Sequence, residues 1–207
     1  MGFIPFFLGL GETSTGDIIF KLTAGPAPSF VALILVFATY TKEQKQDYFN
    51  RIINFKQMGI KMPLLTMLFY AVVCGSTTLI SVLFFNGAMP EFGGIRILAS
   101  QPYMIFLFSF LAIMSGPFNE EFGWRGFALD RLFVRYGFWI SSVILGIIWG
   151  IWHLPWYFYP GNGQYIFWHV SPIHGIMYIM STITLSCIIS IIYIKTKRSI
   201  LSGFLHI

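Results

Sequence analysis

Charged side chains are scarce in this chain: Asp, Glu, Lys and Arg together make up only 10% of its 207 residues. Soluble domains carry about 25%, so an ordinary solvated surface is excluded. Cysteine is almost missing. Cys74 and Cys187 each sit inside an apolar run, where they read as small core residues and say nothing of compartment. Stretches of about 10 residues alternating apolar and polar are also absent, which excludes a transmembrane barrel. No signal peptide and no internal repeat is evident. The chain is instead 56% hydrophobic and 19% aromatic, with 23 Phe and a mean hydropathy of +0.73. That composition belongs to an integral membrane protein.

A helix crossing a bilayer needs about 20 mostly apolar residues. Pro63–Phe85, Pro102–Phe118, Gly137–His153 and Pro172–Ile194 meet or approach this length, and Ser199–Ile207 begins a further apolar run. Pro26–Thr41 is a shorter segment whose early prolines suit a helix start. The expected fold is all-α: a polytopic transmembrane bundle of five to six segments forming one membrane domain, 1–207. Between the segments, Lys42–Lys61 is polar, and Tyr48, Phe49, Ile52 and Ile53 recur in it at helical spacing, which predicts a short interfacial helix. Asn86–Gln101, with Gly87, Pro90, Gly93 and Gly94, reads as a turn-rich connection, and Trp156–Ser171 as a loop.

The few charges are distributed unevenly. If the segments alternate, Lys42, Lys45, Arg51, Lys56 and Lys61 share a side with Arg125, Arg131, Arg135, Lys195, Lys197 and Arg198; only Lys21 and Arg96 fall opposite. Basic loops face the cytoplasm, so loops 42–62, 125–137 and 195–198 are expected there, in a multi-pass protein of the bacterial plasma membrane. The net charge of +5 is thereby explained by anionic head groups, with membrane lipids as partners and no role for nucleic acid.

Against this background Glu120-Glu121-Phe122-Gly123-Trp124-Arg125 stands out, because it follows the apolar run Tyr103–Phe118. Ionisable residues at membrane depth cost on the order of several kcal/mol unless paired, and mark a functional site by default. Glu121 and Arg125 are four apart on one helix face and can pair. Glu120 points about 100° away and has no obvious local partner. An alternative for Glu121–Arg125 alone is a buried ion pair that only fixes helix packing. A second polar intrusion is His153, between Trp152 and Trp156; by itself it could be a helix-end residue satisfied by backbone carbonyls. His206 lies about 10 Å along its segment from Ser199, His153 roughly 20 Å from Phe138, and Glu120 about 15 Å from the basic pair Arg131 and Arg135. One cluster of Glu120, His153 and His206 in the cytoplasmic half of the bilayer is therefore compatible with the spacing. His169 and His174 fall on the opposite side or at the far end of a span and read as non-catalytic. Trp and Phe residues read mostly as core and interfacial belt.

These residues resemble a known family. Glu-Glu-x-x-x-Arg is present as Glu120, Glu121 and Arg125, extended as Gly123-Trp124-Arg125-Gly126-Phe127, and an aromatic-x-x-x-His element follows as Trp149 to His153. Together they are similar to the CPBP family of intramembrane proteases, which includes type II CAAX prenyl proteases and bacterial proteins of bacteriocin maturation and self-immunity. The resemblance covers about Pro102 to Ile207, so 102–207 is expected to be the catalytic core. Trp149 stands where Phe is commoner. The family's third element, His-x-x-x-Asn or Asp, is matched only as far as His206, since the sequence stops at Ile207; the chain is accordingly expected to be a fragment.

The resemblance implies an endopeptidase acting on a hydrophobic or lipidated peptide near its C terminus. Glu120 would act as general base on a water also held by His153, His206 would stabilise the oxyanion, and Glu121 with Arg125 would support the geometry. Glu120, His153 and His206 would also suit a zinc ion with one water, yet no His-Glu-x-x-His occurs, and a metal-free water attack is the preferred expectation. A serine protease would need a Gly-x-Ser-Gly elbow, which is absent, and an aspartyl protease two intramembrane Asp, whereas Asp17, Asp47 and Asp130 lie outside such positions. From a different class, a non-catalytic immunity or peptide-binding membrane protein would use the same polar cluster to bind rather than cut. A proton-coupled transporter would show repeats or broken helices and ranks lowest.

Overall fold

The computed structural model describes residues 23–53, 55–85, 87, 93–160 and 163–206, and among these there is no strand. Helix α1 (Ala27–Thr39) has Pro28 in its first turn and ends where Tyr40 becomes extended. Helix α2 (Lys42–Ile53) starts on a reciprocal cap: Gln44 Oε1 accepts from the Thr41 amide at 2.9 Å, and Thr41 Oγ1 accepts from the Gln44 amide at 3.3 Å. A helix is present where the sequence predicts a short one, and it buries Tyr48 and Arg51. The single-turn α3 (Phe55–Met58) leads to α4 (Lys61–Phe84), which buries no residue. Such an all-apolar, uncovered helix suits lipid. Cys74 lies on α4 and is exposed, while Cys187 is half-buried, so the reading of Cys74 as a core residue is corrected: among the described residues nothing covers its side chain.

Helix α5 (Gly93–Ser100) lies within the segment read as turns. Helix α6 (Met104–Ser115) does not run on into the Glu pair. Gly116, at φ −121° and ψ −89°, breaks it, and Pro117 opens α7 (Pro117–Gly123). A π-helical turn, Trp124–Ala128, then joins α7 to α8 (Leu129–Tyr136). Gly137, at φ +71°, reverses the chain into α9 (Phe138–Trp152). Pro155 cannot continue an α-helix, and a 3-10 stretch, Leu154–Phe158, follows. The expected loop then contains a short helix, α10 (Gly163–Val170). Helix α11 (Pro172–Lys195) returns across the bundle. The apolar run after Ser199 forms a 3-10 helix, Ile200–His206, with Ile200 fully buried.

The fold is polytopic and all-helical. Among the described residues three helices, Lys61–Phe84, Phe138–Phe158 and Pro172–Lys195, are long and apolar enough to cross a membrane, with Ala27–Thr39 a shorter apolar helix. Helices α9 and α11 pack closely because small residues meet between them. A Cβ on Gly146 would stand 2.5 Å from the Ile183 backbone, and one on Gly150 would meet Thr182 and Ile179. The hydroxyls there are satisfied across the seam, Ser186 donating to the Ser142 carbonyl at 2.9 Å and Thr182 to that of Gly146 at 3.2 Å. Small-x-x-x-small seams of this kind let membrane helices approach backbone to backbone. The buried core of Val36, Tyr48, Leu129, Leu145, Tyr193 and Ile200 lies beside it.

Candidate functional site

Four of the five residues expected at the site come together in the interior. Glu121 and Arg125 are fully buried, and Glu120 and His153 are 7% and 8% exposed. Arg125 Nη1 donates to Glu121 Oε1 at 2.5 Å, the expected i, i+4 pair. Its guanidinium also lies over the Trp149 ring, 4.9 Å from the centroid. A buried charge without such compensation would be strongly destabilising.

Glu120 takes a different set of partners. Its Oε2 accepts the indole N–H of Trp149 at 2.6 Å and that of Trp124 at 3.3 Å. No local partner for Glu120 is evident from the sequence, in which Trp and Phe residues read mostly as core and interfacial belt. The usable signal was chemical: an indole N–H buried in an apolar bundle needs an acceptor, and Trp124 is four residues beyond Glu120. The two carboxylates thus differ in their partners, Glu121 facing a cation and Glu120 neutral donors.

His153 closes the arrangement through the same tryptophan. Its Nδ1 lies 2.8 Å from the Trp149 carbonyl. A carbonyl can only accept, so Nδ1 carries the proton and neutral Nε2 keeps its lone pair. The ring is packed edge-on against Trp152 and Tyr178, with centroids 4.7 and 5.4 Å away. Tyr178 also forms the inner wall of an apolar groove of about 600 Å³ lined by Phe167, Val170, His174 and Met177. His169 instead stacks on Tyr165 at 3.8 Å in α10.

His206 is the last residue of the 3-10 helix Ile200–His206; its side chain lies outside the described residues. The helix that carries it packs against α7. Gly203 is the contact point: a Cβ there would overlap the Glu121 carboxylate. Sequence reasoning had no reason to single out this glycine.

At the end of the bundle away from His153, the three basic segments meet. Arg51 of α2 bonds Tyr193 of α11 at 2.6 Å and Asp130 of α8 at 2.9 Å. Arg198, just past α11, grips Asp130 with both Nε and Nη2, at 3.3 and 2.5 Å. Those bonds to Asp130 hold the Arg198 guanidinium even further above its ordinary range, while burial pushes the Tyr48 phenol up.

Comparison with known proteins gives two matches. Residues 102–207 match the family described as type II CAAX prenyl endopeptidase, Rce1-like. Over 211 aligned residues the chain is 32% identical to CAAX prenyl protease 2 of Methanococcus maripaludis, covering 96% of this chain and 74% of that protein. The family resemblance carried by Glu120, Glu121, Arg125, Trp149 and His153 is borne out.

Proposed function

This chain belongs to the Rce1-like family of type II CAAX prenyl endopeptidases and is an intramembrane protease; from that premise we propose that it cuts a peptide bond near the C terminus of a prenylated or otherwise hydrophobic peptide by activating water with Glu120 and His153. The observation that carries this reading is the division of labour between adjacent carboxylates. Arg125 compensates Glu121, whereas among the described residues Glu120 is oriented by the indoles of Trp149 and Trp124. A carboxylate held by neutral donors keeps its capacity to take a proton.

His153 presents Nε2 as an acceptor, so it orients one hydrogen of the water while Glu120 removes the other. The water oxygen bonds to the scissile carbonyl carbon. The resulting oxyanion is assigned to His206, as the family resemblance implies. Collapse breaks the C–N bond, and the proton held by Glu120 passes to the departing nitrogen. Burial of Glu120 and His153 strengthens each of these interactions relative to water. The groove beside Tyr178 supports an apolar substrate, because it reaches the His153 ring through Tyr178.

A zinc ion would draw on Glu120, His153 and His206. Among the described residues no group of three or more His, Cys, Asp or Glu is placed to hold a metal, so no step is assigned to one. The orientation we propose puts loops 42–62, 125–137 and 195–198 in the cytoplasm against anionic head groups. Their meeting at Asp130 supports a single side for all three.

The deciding experiment is release of the C-terminal tripeptide from a farnesylated peptide by the purified protein in lipid nanodiscs. E120A and E120Q are expected to lose at least about 100-fold in kcat while accumulating normally in membranes. Full cleavage by either variant sinks the assignment.

A further inference from the structure

Asp130 touches neither Glu120 nor His153, yet three contacts tie its helix to the one that ends in His206. Arg198 is bonded to Asp130 through both oxygens. Two residues later, Ile200 stands where a Cβ on Gly126 would come within 3.0 Å of its Cδ1. Three residues further, Gly203 abuts the Glu121 carboxylate. The two stretches run antiparallel, 130 to 121 against 198 to 203, and the glycines at either end of the contact permit the close approach. His206 lies one 3-10 turn beyond Gly203.

The turn that creates this alignment is unfavourable on its own. Lys197 and Arg198 both have positive φ, 53° and 65°. L-residues with side chains avoid that region, and two in succession persist only when their surroundings hold them. The Arg198 amide bonds the Tyr193 carbonyl at 2.8 Å, while the Arg198 side chain reaches Asp130. Tyr193 donates its hydroxyl to the same Asp130 oxygen at 2.8 Å. Arg51 completes the set from α2, and Asp130 keeps only 15% side-chain exposure.

We propose that Asp130 is a positioning residue: by clamping Arg198 and Tyr193 it holds the Lys197–Arg198 reversal and so sets the register of Ile200–His206 against Glu121. The inference rests on the protease reading for its catalytic consequence, but not for its structural one. Two measurements keep these apart. Hydrogen exchange of the full chain in nanodiscs reads the clamp directly. In D130N and in R198A, amides from Ser199 to Leu205 are expected to exchange at least tenfold faster, with α9 and the middle of α11 unchanged. Cleavage of the farnesylated peptide reads the consequence. D130N is expected to lower kcat at least tenfold with KM within threefold, R198K to fall between D130N and the parent, and the double variant D130N/R198A to be no worse than the more impaired single one. R198A provides the second route if D130N folds poorly, since Arg198 is half-exposed. Unchanged exchange in Ser199–Leu205, faster exchange throughout the bundle, or additive losses in the double variant would each overturn the proposal. Failure of the parent protein to cleave would refute the function and leave the exchange result to decide the clamp.

Discussion

Trp149 and Glu120 are joined by a 2.6 Å indole-to-carboxylate hydrogen bond, and the same tryptophan offers its backbone carbonyl to His153 at 2.8 Å. One residue therefore sets the direction of both the proposed base and the proposed water holder. Its side chain reaches across from α9 to α7, and its backbone acts one turn along α9.

Replacing Trp149 separates these contributions. W149F keeps a ring over Arg125 and leaves Trp124 as donor to Glu120. A bond to a charged group is worth about 1.5–3 kcal/mol, of which Trp124 retains part, so kcat should fall about three- to tenfold. W149A removes the ring as well and should cost at least about 100-fold. Rates of farnesyl-peptide cleavage check both, and an undiminished rate in W149F would argue against the indole N–H as the orienting group.

The buried pair Glu121–Arg125 predicts an asymmetry in stability. Removing one member, as in R125A or E121A, strands a charge and should destabilise by about 3–5 kcal/mol. The double variant E121L/R125M should recover most of that loss while remaining inactive. Thermal unfolding in one detergent, read beside cleavage, tests the pair. A double variant less stable than both single ones would refute it.

Glycine substitutions should sort by what a methyl group would meet. G203A pushes against the Glu121 carboxylate and G123A against the Pro28 carbonyl, and overpacking of this kind costs about 1–3 kcal/mol. G75A, on the lipid face of α4 with nothing nearby, should stay within about 0.5 kcal/mol of the parent. Melting temperatures of the three variants in nanodiscs provide the comparison, and a loss in G75A equal to that in G203A would contradict these contacts.

Metal dependence has a direct readout. Exhaustive chelation of the purified protein is expected to leave cleavage within about twofold of the parent rate, as befits water attack on Glu120. Loss of cleavage, followed by recovery on adding zinc, would overturn that reading.

The membrane class, the helix at Lys42–Ile53 and the Glu121–Arg125 pair were legible because each rests on local spacing or on the cost of charge in lipid. The partners of Glu120 were not. Trp149 comes from 29 residues away, and its place in the aromatic-x-x-x-His element points to His153 rather than to Glu120. Gly203 was hidden for a similar reason, since its value lies in what stands opposite it. The break at Gly116 escaped notice because apolar composition runs smoothly through Met104–Ser115 and on to Phe118, whereas the backbone bend is decided by one Gly-Pro step. Helix α10 was read as loop because eight residues give too few turns for a periodic signal.

The π-helical turn at Trp124–Ala128 shapes the helix in a way that a list of contacts conceals. Glu121 and Gly126 are five residues apart, and on a regular α-helix that spacing would place them about 140° out of line. The i to i+5 bonding of a π turn brings such residues onto one side, and Asp130 follows four positions later. One extra residue has been absorbed without disturbing the α-helix on either flank. The carboxylate end and the clamp end thus keep a common phase that plain α-helical geometry would deny them. The Glu121 carboxylate and the Asp130 clamp are set by the same angular correction, so a change that restored uniform α-helix there would disengage one of them without touching a residue of either.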